Sequence, residues 1–129
     1  MRKQPQTRSG FDSVKGVKLL ERTGNSVSVE FSVPPASPYF DGHFPEFSLL
    51  PAVAQMELII RIAAEYLGTG IDIFEMRRIK FTKFILPNTL LLLRLEKGEK
   101  LQFKITSPID GSLYSSGILA ISHKNEDGK

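Results

Sequence analysis

At 129 residues the chain has the size of one domain, and its 41% hydrophobic content is enough to bury a core. The balance of 17 basic against 14 acidic residues, +3 at neutral pH, is too mild for a nucleic-acid binder, and the cations form no run with interleaved aromatics. The absence of cysteine excludes disulfides, thiolate metal ligands and a cysteine nucleophile; with two histidines, a metal site would need carboxylates, and none is expected. No window approaches the roughly 18 uncharged apolar residues of a membrane span and the first residues lack an apolar signal core, so a cytoplasmic protein is expected.

In chain order, residues 1–10 are polar and basic and read as a frayed tail. Val14 to Arg22 alternates in part, Thr23-Gly24-Asn25 is a turn signal, and Val27 to Val33 alternates strictly, which predicts two antiparallel strands. Pro34-Pro35-Ala36-Ser37-Pro38 stops the second strand, because proline removes ladder donors. A loop with the one interior histidine, His43, leads to a helix that starts between Ser48 and Ala52 and runs to Leu67. That helix is apolar over most of its circumference, so other structure is expected to surround it, and Gly68-Thr69-Gly70 ends it.

After the helix the period is two. Ile71 to Ile85, Leu90 to Leu95, Leu101 to Thr106 and Leu113 to Ser122 are strand candidates, the last two joined by a turn at Asp110-Gly111. His123 opens a charged, solvated tail. Strands segregated from a single helix predict an α+β fold, a curved antiparallel sheet wrapped around one long central helix. A single domain over residues 11–124, with a second short tail at 125–129, is the expected organisation.

The stretch around the helix start carries the chemistry. Gly42-His43-Phe44-Pro45, Pro51 eight residues after the histidine and Glu57 fourteen after it resemble the hot-dog-fold 3-hydroxyacyl-(acyl-carrier-protein) dehydratases of fatty-acid synthesis. Lys80-Phe81-Thr82-Lys83-Phe84-Ile85-Leu86-Pro87 is similar to that family's later strand and turn, and Leu49-Leu50-Pro51 before Gln55 is closest to its aryl-polyene branch. Ala52 stands where the family has glycine and Phe84 where it has proline. The resemblance implies a hot-dog fold, a homodimer or higher oligomer whose active sites take His43 and Glu57 from different subunits, and an apolar tunnel for the acyl chain beside the helix. It implies no resident cofactor, since a phosphopantetheine arm arrives with the substrate on acyl carrier protein or coenzyme A.

Dehydrating a 3-hydroxyacyl thioester to the trans-2-enoyl product needs a base for the α-proton, an acid for the departing hydroxyl and donors for the enolate-like oxygen. His43, as a neutral imidazole, suits the first task. Glu57, with apolar neighbours on both sides in sequence, is the candidate acid, because desolvation favours a protonated carboxyl. The first N–H groups of the helix suit the third, with Ala52 as donor by its place in the motif. Gln55 is positioned to orient the substrate or the acid, and Phe44, with Phe40 and Phe47, packs the loop or lines an acyl channel. Arg77, Arg78, Lys80 and Lys83 would receive an acidic carrier protein.

Plainer alternatives stand beside each assignment. His43 could cap loop backbone. Glu57, Arg61 and Glu65, at successive i,i+4 positions, could form a solvated ion-pair ladder. Gln55 could be a buried amide, Asp41 suits turn chemistry, and the basic residues could be a solvated strand face. For the whole chain, a hot-dog acyl thioesterase and a non-catalytic acyl- or lipid-binding module are the competing functions.

Overall fold

A computed structural model of the chain describes residues 15–35, 37 and 49–123. The elements follow in the order β1 (Lys15–Arg22), β2 (Ser26–Ser32), α1 (Ala52–Leu67), β3 (Thr69–Phe81), β4 (Leu91–Lys97), β5 (Leu101–Thr106) and β6 (Leu113–His123). One antiparallel sheet contains all six strands in the order β1-β2-β4-β5-β6-β3.

The β1–β2 turn forms because Thr23 holds it from both sides: its N–H donates to Ser26 O at 2.8 Å, and its Oγ1 accepts from Asn25 N and Ser26 N. Alternation then sets the inner face. Val27, Val29 and Phe31 of β2, Leu91, Leu93 and Leu95 of β4, and Leu101, Phe103 and Ile105 of β5 are all buried, and the residues between them are polar except Leu92. Against this layer α1 packs Met56, Leu58, Ile59, Ile62 and Ala63. Each of the larger of these side chains, when fully buried, contributes about 1.5–3 kcal/mol. Gly117 on β6 leaves room for that packing, since a Cβ there would meet the Phe103 ring and Ile79 Cδ1.

The helix ends as its glycine suggests. Gly68 takes φ 69°, a left-handed residue, and Lys97 Nζ donates to the last helical carbonyl, Leu67 O, at 3.1 Å. At the other end Pro51 is the N-cap, one position outside the helix, and its carbonyl accepts the first intrahelical bond from Gln55 N at 3.0 Å.

Four expectations change. The third strand stops at Phe81, not Ile85, because Thr82 turns into β6: its N–H donates to Tyr114 O at 2.9 Å and its hydroxyl to Leu113 O at 2.6 Å. β3 also lacks a simple alternation; register shifts occur at three points and Arg78 adopts φ 55°, so two-residue periodicity is lost at its bulges. His123 is exposed as expected but closes β6 instead of opening a tail. Finally, α1 is surrounded on only part of its circumference: Val53, Arg61 and Glu65 are exposed and Glu57, Ile60 and Ala64 half-buried, forming a continuous open stripe. The tails at residues 1–10 and 125–129 lie outside the described residues. Among the described residues no helix is long and apolar enough to cross a membrane.

Candidate active site

The start of α1 is fixed by contacts to three neighbours. Leu50 N donates to Ile85 O at 2.9 Å, tying the residue before the N-cap to the segment after β3. Gln55, only 4% exposed, donates from Nε2 to Leu50 O at 3.2 Å and accepts at Oε1 from the Ser115 hydroxyl at 2.8 Å. Ser115 is fully buried on the inner face of β6. A buried amide with both ends satisfied locks the first helical turn to the sheet. Gln55 is therefore the buried amide of the plainer reading, and its partner Ser115 was not a sequence candidate. The signal for it was a serine at an inward position of an otherwise apolar strand face.

This anchoring leaves the N–H groups of Ala52, Val53 and Ala54 ahead of the first intrahelical bond, at the positive end of the helix dipole. The turn contains no acidic side chain and the N-cap makes no side-chain bond, so these donors face whatever occupies the space before the helix. Ala52 and Val53 are exposed, Val53 to 76%. Such a turn can stabilise negative charge that develops on an oxygen.

Glu57 is not desolvated in the single chain. Its side chain is 45% exposed, and its Oε2 accepts from Arg61 Nε at 2.7 Å. The apolar neighbours Met56 and Leu58 point about 100° to either side on a helix of 3.6 residues per turn, and so bury themselves without covering the carboxylate. The i,i+4 pair anticipated as the plainer reading is thus formed, although Glu65 adds no further rung to it among the described residues. His43 and Phe44 lie outside the described residues, as do Tyr39, Phe40, Asp41 and Phe47.

The four basic candidates are all exposed. Register puts Arg77 and Lys80 on the outer face of the sheet, opposite Ile118 and Ser116, while Arg78 occupies the bulge between them. Arg77 pairs with Glu75 at 3.4 Å. Lys83 lies past the strand end, with Nζ 3.1 Å from Ser112 Oγ and 5.4 Å from the centre of the Tyr114 ring. Among the described residues no group of three His, Asp or Glu side chains could hold a metal ion.

Against known proteins, residues 20–118 match the family ApeI-like, described as ApeI dehydratase. The 3-hydroxyacyl-(acyl-carrier-protein) dehydratase FabZ of Streptococcus pneumoniae is 26% identical over 119 residues, covering 84% of this chain and 85% of that protein. Among solved structures, the dehydratase heterocomplex ApeI:P from Xenorhabdus doucetiae superposes with a TM-score of 0.71 at 25% identity, over 81% of this chain and 94% of that one. Zebra fish thioesterase superfamily member 2 shares the fold, with a TM-score of 0.62 at 17% identity, over 93% and 87% of the two chains. With six antiparallel strands and one long helix among the described residues and this match, the chain has a hot-dog fold and belongs to the ApeI-like dehydratase family, related to FabZ.

Proposed function

We propose that this dehydratase removes water from a 3-hydroxyacyl thioester, linked to acyl carrier protein or coenzyme A, to give the trans-2-enoyl thioester. The observation that carries the proposal is the first turn of α1, held by Gln55 and Ser115 with its leading N–H groups uncommitted within the helix. In this scheme the Ala52 N–H receives the thioester oxygen as negative charge develops there. His43 takes the α-proton, and Glu57 protonates the leaving hydroxyl, which departs as water. The base takes one proton and the acid gives one, so no resident cofactor is needed; the phosphopantetheine arm arrives with the substrate.

For Glu57 to act as the acid it must leave Arg61, since their ion pair involves the charged carboxylate. A second subunit covering the open stripe of α1 would supply the desolvation that the single chain lacks. In favour of such a subunit, β3 is a 13-residue edge strand that exposes Phe74 to 75% and Met76 to 56%, a surface that isolated proteins avoid. We therefore take the working unit as at least a homodimer, with His43 and Glu57 of each site drawn from different subunits and Phe44 beside the acyl chain. The substrate class further implies a cytoplasmic enzyme of fatty-acid or related acyl-chain synthesis.

One observation favours a second function. A carboxylate held by Arg61 at 2.7 Å suits activation of water for thioester hydrolysis, and a thioesterase shares this fold. His43→Ala and Glu57→Gln separate the two. Both variants are expected to keep the wild-type melting curve and lose enoyl formation. Full enoyl formation by His43→Ala, or thiol release lost only in Glu57→Gln, contradicts the dehydratase scheme and favours hydrolysis.

A further inference from the structure

The run of chain between β3 and β4 is pinned at several points. Thr82 N and Lys83 N donate to Tyr114 O at 2.9 and 3.4 Å, Leu50 N donates to Ile85 O at 2.9 Å, and Asn88 N donates to Val33 O at 2.8 Å. Ile85 turns inward and is only 1% exposed, whereas the residues on either side of it face solvent: Phe84 is 73% exposed and Leu86 more than half exposed. The Phe84 N–H itself makes no hydrogen bond. A proline, which the related dehydratases have at this position, would therefore lose no donor here; the chain has a ring face in its place.

A single exposed aromatic residue is ordinary, but the place of this one is not. Ile85 is bonded to Leu50, two positions before Ala52, so Phe84 stands beside the first turn of α1, where Val53 is also exposed. Traced through that bond, the Cα atoms of Phe84 and Ala52 are no more than about 18 Å apart. Direction follows from the helix. A thioester held at the Ala52 N–H sends its acyl side toward Glu57, one turn and more into α1, so its sulfur side leaves ahead of the helix, where residues 84–86 lie. An extended chain advances about 1.2 Å per bond, which puts the geminal methyl groups of a pantetheine arm, ten bonds beyond sulfur, about 12 Å out.

We propose that Phe84 is a specificity-determining residue that packs against the outer half of the pantetheine arm, its ring face meeting the second amide and the geminal methyl groups. Methyl groups on the ring bury apolar surface, and an amide N–H is attracted to the negative face of the ring. Because its backbone is pinned on both sides, the ring is presented with little ordering left to lose. The direction in which the arm leaves rests on the dehydratase proposal.

The test compares one 3-hydroxyacyl group carried as its pantetheine thioester and as its N-acetylcysteamine thioester, which ends at the first amide. Phe84→Ala removes an exposed side chain and no hydrogen bond, so the fold is not endangered. It is expected to raise KM for the pantetheine thioester about tenfold at unchanged kcat, and to change KM for the shorter thioester less than about twofold. Phe84→Pro should match Phe84→Ala, and Phe84→Tyr should match wild type. Equal losses on both thioesters, an unchanged KM in Phe84→Ala, or a solution mass that falls in Phe84→Ala, which would make the ring a contact between copies, overturns the proposal. Saturation-transfer NMR of free pantetheine needs no turnover: its geminal methyl signal should appear with wild type and largely vanish with Phe84→Ala, and no signal with wild type also overturns the proposal. If the methyl signal behaves as expected while wild type forms no enoyl thioester, the dehydratase proposal fails and the arm site stands; enoyl formation with equal methyl signals from both proteins does the reverse.

Discussion

Strands β4 and β3 are both rich in large apolar residues, yet they meet opposite fates. Leu91, Leu93 and Leu95 of β4 are fully buried between β2 and β5 and beneath α1, whereas Ile71, Phe74 and Met76 of β3 stand in solvent on the edge beyond β6. The hydrophobic driving force is the same per unit area, so the difference lies in neighbours: β4 finds all of its partners within the chain and β3 finds half. Stability is thus concentrated in the interior strands, while β3 and the open stripe of α1 are the parts of the molecule that a second chain would complete.

The largest way to probe this contrast is a matched pair of truncations. Leu93→Ala should lower unfolding free energy by about 2–5 kcal/mol in denaturant titration, because it opens a cavity in a closed core. Phe74→Ser should leave the unfolding of the single chain nearly unchanged but shift the solution mass, by light scattering, toward the monomer. A large loss of stability for the monomeric Phe74 variant would contradict the division between the two strands.

Next in size is the polar lock at the helix start. Ser115→Ala leaves the buried Gln55 Oε1 without its donor and should cost about 1–3 kcal/mol, with thioester turnover falling further than stability alone explains. Gly68→Ala, which forces a side chain into a left-handed conformation, should cost about 1 kcal/mol without such an excess loss of turnover, since it acts at the other end of α1.

Arg61→Gln should change stability by only about 0.3–0.5 kcal/mol, as expected of an exposed i,i+4 pair. Its informative effect is on turnover. Freeing the Glu57 carboxyl from its Arg61 partner should raise enoyl formation relative to wild type; unchanged turnover would detach Glu57 from the acid step. Smallest of all is Asp110, whose carboxyl is held below its usual range by the Ser112 N–H at 2.9 Å. Its contribution is present above the unfolded carboxyl's range and lost as pH falls through the lower folded value. Asp110→Asn should therefore flatten the acid side of the stability curve slightly.

Much of the fold was legible because local signals agreed with tertiary ones: the Thr23 turn, the Gly68 terminus and the strict alternation of β2 and β5 each have one outcome. The candidate site was legible only in part. The spacing of Glu57 and Arg61 announced their pair, but flanking Met56 and Leu58 suggested a desolvation that helical geometry does not deliver. Ser115 was hidden because its contact depends on strand order; residues 55 and 115 become neighbours only once β6 takes its place in the sheet beneath α1. The glycine-histidine stretch read from sequence lies outside the described residues, so the base proposed there rests on its motif.

The most direct measurement is product identity. Wild-type protein incubated with a 3-hydroxyacyl thioester should generate the absorbance of a conjugated enoyl thioester with no release of free thiol. Free thiol appearing without enoyl absorbance, or neither signal from a folded oligomer, would contradict dehydration at the start of α1.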